Sequence, residues 1–165
     1  MSLNFSLQSI NQLSPYRVDS VNGYSFTFVT RFGHAYEAGF TEDYMLSDDG
    51  LVYQFFLSCV DTETPQKDEY VMSTVIAILK EFFKNQYVSL VYICDTHDGR
   101  QAVRQRLFSS WFFRYPDHGQ YDYSYKQLYV ESNDYYVSLI CPVSNPLLQD
   151  RKDALEALYQ KISEK

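Results

Sequence analysis

The stretch YVSLVYICDTHDGRQAVRQRLFSSWFFRY, residues 87–115, decides the fold. Val88, Leu90, Val91, Tyr92, Ile93 and Cys94 make a continuous apolar run rather than an alternating one. Such a run suits a strand covered on both faces. Asp95-Thr96-His97-Asp98-Gly99 then breaks the pattern with turn formers, and Thr96 or Asp98 offers a side-chain oxygen to cap a helix. Val103, Leu107, Phe108, Trp111 and Phe112 follow at helical spacing. That stripe predicts an amphipathic helix with Trp111 buried against a sheet.

Upstream of this unit, Tyr24, Phe26 and Phe28 alternate with polar residues, as do His34, Tyr36, Ala38 and Phe40. Both read as half-buried strands joined at Gly33. Ser47-Asp48-Asp49-Gly50 is a hairpin signal, because Asp-Gly fits a turn that needs positive φ, and Leu51 to Val60 is the third strand. Thr64-Pro65 reads as the cap and first residue of a helix carrying Val71, Val75, Ile78, Leu79 and Phe82 inward. A crossover helix makes the strands on either side of it parallel. Downstream, Tyr121 to Glu131 and Tyr135 to Cys141 are strands around Ser132-Asn133-Asp134, and Asn145-Pro146 opens a last helix. The order is β-β-β-α-β-α-β-β-α, an α+β fold with a mixed, mostly antiparallel sheet and helices on its faces. Residues 1–22 read as an N-terminal arm and 23–165 as a single α+β domain.

At 165 residues the chain is long enough for a core without disulfide staples. Its 16 Tyr and 12 Phe favour sheet surfaces where a ring is buried and a hydroxyl stays wet. The net charge of −7 opposes phosphate backbones and anionic membranes, so nucleic acid is not an expected partner. Cys59, Cys94 and Cys141 are odd in number, widely spaced and without a CxxC, which fits thiols without disulfides in a reducing compartment. No apolar run reaches about 18 residues, and the first residues lack a basic and apolar leader pattern. A cytoplasmic location and no membrane partner are expected.

The segments ILKEFFKN and ICDTHDGRQAVRQRLFSSWF resemble a small uncharacterised Bacteroidetes protein family of unknown function. That resemblance implies a fold and no chemistry. Separately, the element order resembles the core of the GCN5-related N-acetyltransferases, which implies a three-strand meander, an acetyl-CoA loop after its third strand, and a helix pair before it. The loop in that place is Asp61-Thr62-Glu63-Thr64-Pro65-Gln66-Lys67-Asp68-Glu69, with no Gly, a Pro that lacks an N–H, and four acids against one Lys. It is a poor cradle for a pyrophosphate. No cofactor is expected.

Cys94, Asp95, His97 and Asp98 sit where a strand meets a turn, and Cys with His offers a nucleophile and base, or two metal ligands. A structural thiol beside a solvated turn accounts for them better, since Cys94 is inside an apolar strand and no oxyanion motif or third ligand is visible, so no metal is expected. Arg100 and Arg104 share a helix face at i, i+4, suited to carboxylate or phosphate. Tyr121, Tyr123, Tyr125 and Tyr129 share one strand face, with Tyr135 and Tyr136 on the partner strand, which suits homo-oligomer packing. The absence of HExxH, P-loop, GxSxG and GxGxxG patterns removes the common hydrolase and nucleotide motifs. The reading is a non-catalytic binding or self-associating domain, with a divergent acyl-CoA-dependent N-acyltransferase as the alternative. Any ligand site is expected at Asp95, Thr96, His97, Arg100 and Arg104, taking a small carboxylate or phosphate.

Overall fold

The computed structural model describes residues 3–62, 64–94 and 99–164. The helices are α1 (Leu7–Leu13), α2 (Glu69–Phe82), α3 (Gln101–Arg114) and α4 (Leu148–Ser163). The strands are β1 (Asp19–Asn22), β2 (Ser25–Val29), β3 (Ala35–Glu42), β4 (Val52–Cys59), β5 (Ser89–Cys94), β6 (Tyr121–Val130) and β7 (Asn133–Pro142). From β2 onward this is the expected order. The sheet is mixed and mostly antiparallel, with strand order β1-β2-β3-β4-β5-β7-β6. The chain forms two compact units, Met1–Thr41 with Phe55–Asn85, and Glu42–Gln54 with Gln86–Lys165.

In the first unit, alternation along β2 turns Phe26 and Phe28 inward. Phe40 and Phe82 stack at 4.5 Å, and Phe5 meets Phe26 at 5.1 Å and Phe40 at 5.2 Å. Gly39 lies where a Cβ would meet the Phe56 ring at 2.6 Å. The stretch expected as an N-terminal arm, residues 1–22, holds α1 and the edge strand β1. Ile10 and Val18 are fully buried, and the Asn11 side chain bonds both the N–H and the C=O of Val18 at 2.8 and 2.9 Å. α2 starts four residues later than Thr64-Pro65 suggested. Asp68 caps it, accepting the Tyr70 N–H at 2.9 Å and the Tyr16 hydroxyl, and a carboxylate at that position satisfies the first turn and its dipole together.

In the second unit, Val91, Leu128, Val137 and Leu139 pack with Leu46, Val52 and Leu155. Side chains alternate across a strand, so α4 covers this face and α3 the other, where Phe108 stacks on Tyr92 at 4.2 Å. The stripe expected for α3 is rotated. Gln105 and Phe108 are the buried positions, Val103 and Leu107 are exposed, and Trp111 is only half-buried. The helix rests on tyrosine hydroxyls as well as rings, with Gln105 Nε2 donating to the Tyr123 hydroxyl at 3.4 Å, so a polar residue faces in. Asp49-Gly50 closes a longer connection than a two-residue turn, since β3 ends at Glu42 and β4 starts at Val52. Gly50 does take φ +75°, as the sequence suggested.

Candidate functional site

Of the residues expected to form a ligand site, Asp95, Thr96 and His97 lie outside the described residues, as does Asp98. Arg100 is the N-cap of α3, exposed, and Arg104 lies one turn on, half-buried, its N–H bonded to the Arg100 carbonyl at 3.0 Å. The two residues stand at i, i+4, one helical turn apart. The first turn of α3 holds no acid. The start of α2 is the reverse. Asp68 and Glu69 stand there, and Asp68 has taken the Tyr70 N–H. The shallow cleft beside it, about 490 Å³, is lined by Arg31, Lys67, Glu69 and Tyr70, and Arg31 is already stacked over the Tyr70 ring at 5.0 Å.

The structure brings together three residues that sequence spacing had not linked. The Val60 N–H bonds the Ala35 carbonyl at 2.8 Å, which pairs the start of β3 with the residue after β4. His34, just before β3, therefore meets Cys59 and Asp61 at the end of β4. His34 Nδ1 is 3.0 Å from Asp61 Oδ2, the Cys59 thiol donates to Asp61 Oδ1 at 3.2 Å, and the Ala35 N–H donates to the same oxygen at 3.1 Å. The donor atoms of the three side chains all lie within 4.8 Å of one another. A tight turn fixes His34, with its N–H on Thr30 Oγ1 at 3.2 Å and Gly33 at φ +81°.

The electrostatics follow this geometry. Hydrogen bonds from His34, and then from Cys59, hold the Asp61 carboxyl down at about 2. Burial first, and the bond to Asp61 second, push the Cys59 thiol up. Burial first, and then the neighbouring Cys59, Asp68 and Asp61, push the Tyr36 hydroxyl up to about 12. A nucleophilic cysteine needs a thiolate with its base in reach. Here the carboxylate stands between sulfur and imidazole and keeps the proton on sulfur, so the group is not an activated nucleophile. Cys94 and Cys141 are buried, and none of the three cysteines forms a disulfide. On the β6 face, Tyr123 is covered by Phe112 at 4.9 Å, whereas Tyr125 and Tyr129 are 52% and 66% exposed.

Residues 67–157 match the model described as a family of unknown function, DUF6169, and the chain belongs to that family. Among solved structures it is similar to the CoA-dependent acyl-homoserine lactone synthase MesI, at 10% identity and TM-score 0.40, over 85% of this chain and 75% of that one. It is also similar to the CoA-dependent synthase BjaI with MTA, at 12% identity and TM-score 0.37, over 89% and 69% of the two chains. The BjaI structure with SAM and isopentyl-CoA gives 13% identity and TM-score 0.36, over the same shares. Comparison with curated proteins returned no match.

Proposed function

We propose that this chain is a non-catalytic binding domain whose ligand is a small carboxylate or phosphate held at the start of α3. The observation that carries the reading is the contrast between the two helix starts. α2 presents Asp68 and Glu69, with a cap already formed, and follows a loop without glycine. A pyrophosphate there meets like charge. α3 presents Arg100 and Arg104 with no acid in its first turn, and a planar guanidinium pairs well with carboxylate or phosphate oxygens. Asp95, Thr96 and His97 lie outside the described residues, and the weight of the proposal rests on the two arginines. The three cysteines without disulfides support a reducing compartment, the cytoplasm of a Bacteroidetes cell. No helix among the described residues is long and apolar enough to cross a membrane.

Isothermal calorimetry with phosphate, citrate and acetyl-CoA tests this. The expected result is binding of a small anion that falls at least about tenfold in the Arg100→Ala/Arg104→Ala variant, the loss of one or two charge-assisted bonds. Acetyl-CoA bound more tightly than either anion overturns the non-catalytic reading and favours the N-acyltransferase alternative. Binding of none of the three refutes the site.

A second reading concerns self-association. β6 is a ten-residue strand at the edge of the sheet, and Tyr125 and Tyr129 stand exposed on it. Exposed tyrosines on an open edge favour a second copy of the same chain, paired through the same patch. Analytical ultracentrifugation should show a dimer that dissociates on Tyr129→Lys. A wild-type monomer at high concentration removes this reading.

A further inference from the structure

We propose that His34, Cys59 and Asp61 bind a divalent transition metal, zinc foremost, with a fourth position left to solvent. The proposal does not depend on the arginines of α3. Its donor set is one imidazole nitrogen, one thiol sulfur and one carboxylate oxygen, all within 4.8 Å of each other. In a tetrahedral zinc site, bond lengths of about 2.0–2.3 Å put neighbouring ligand atoms roughly 3.3–3.7 Å apart. The observed Nδ1–Oδ2 and Sγ–Oδ1 separations are 3.0 and 3.2 Å. The side chains are therefore gathered at nearly the spacing an ion requires, and small rotamer adjustments complete it.

Three features go beyond an ordinary His–Asp pair. First, the backbone positions the ligands. The turn at Thr30–His34 and the β3–β4 register fix where the three residues emerge, and the Ala35 N–H orients the Asp61 carboxylate by bonding Oδ1. Metal sites commonly hold their ligands by such second contacts. Second, Tyr36 hydrogen-bonds Cys59 through its side chain, a donor placed to stabilise the thiolate that a metal would create. Third, access and charge suit a cation. The His34 and Asp61 side chains are 22% and 43% exposed, which leaves an approach and room for a water ligand. A carboxylate and a thiolate together balance a divalent charge. Calcium and magnesium prefer all-oxygen shells, so sulfur with nitrogen selects zinc, cobalt or their neighbours.

The hydrogen bonds now joining the cluster mark the protons that an ion displaces. Binding releases the Cys59 thiol proton to solvent, and the His34 Nδ1 proton that now faces Asp61 is given up there, with Nε2 left as the protonated ring nitrogen, so that the Nδ1 lone pair faces the metal. Three protein ligands with one open position match the layout of zinc sites that accept a further group, rather than closed structural ones.

Cobalt titration of the full, reduced chain tests the proposal. About one equivalent of Co²⁺ should produce a thiolate-to-metal charge-transfer absorption and the intense visible bands of four-coordinate cobalt, both removed by added Zn²⁺. Cys59→Ser should abolish the charge-transfer band while circular dichroism shows an intact fold. Asp61→Asn should weaken binding at least about tenfold, as loss of one ligand does. Should Cys59→Ser fail to fold, His34→Gln supplies the same test. The Arg100→Ala/Arg104→Ala variant should bind cobalt normally, which separates this site from the anion site. Absence of a thiolate band with excess Co²⁺, or an undiminished band in folded Cys59→Ser, overturns the assignment.

Discussion

Arg151 is 3% exposed in α4, and its charge is answered by Asp49 at 2.6 Å. Its Nε has no hydrogen-bond partner, so the pair is incompletely satisfied. A buried charge left alone costs more than the pair contributes. Asp49→Ala should therefore destabilise the protein by about 2 kcal/mol, a value reduced from the fully buried case because Asp49 is partly exposed. Arg151→Met, which removes the charge and keeps the volume, should cost little or nothing, as urea midpoints will show. Burial raises the Asp49 carboxyl, but the Arg151 bond, the Leu51 N–H and the Arg151 charge outweigh it and leave it lowered. The pair's contribution is thus present above the ordinary carboxylate value and lost as pH falls below it. The gap between wild type and Asp49→Ala should narrow in acid. The Asp-Gly signal marked this turn in the sequence, but nothing local pointed to Arg151, 102 positions away.

At the scale of elements, the β6–β7 hairpin closes on Glu131 and Ser132, both at positive φ, 51° and 69°. Both central residues of such a turn sit where L side chains crowd the backbone. Ser132→Gly should raise stability by about 1 kcal/mol, read as a higher thermal midpoint. Loss of stability would show that the serine makes a contact worth more than the strain. β2, β3, β4, β5, β6 and β7 were legible because alternation or a continuous apolar run survives in each. α1 was not, since seven residues with only Ile10 buried show no period. β1 was not, since all four of its residues are exposed. The face of α3 was misread because Gln105 packs on tyrosine hydroxyls, and an apolar stripe cannot register a polar contact. Arg100 and Arg104 were legible as a pair through helical spacing alone. The His34, Cys59 and Asp61 cluster was not, because it depends on the β3–β4 register. His34 beside a Gly turn, and Cys59 with Asp61 two residues apart at a strand end, were the signals available.

Over the whole molecule, the net charge of −7 makes a positive helix start uncommon ground, and the two crossover helices begin with opposite chemistry. That opposition is the basis for reading a small-anion binding domain rather than a CoA enzyme. A family match over residues 67–157 takes in both helix starts and leaves their chemistry to be measured. Backbone amide NMR during a citrate titration, repeated with acetyl-CoA, measures it most directly. The account predicts that citrate shifts the amides of Gly99 to Arg104 and leaves those of Asp68 to Val71 unmoved, with acetyl-CoA producing no larger change at either place. Shifts centred on Asp68 to Val71, driven by acetyl-CoA, would contradict it.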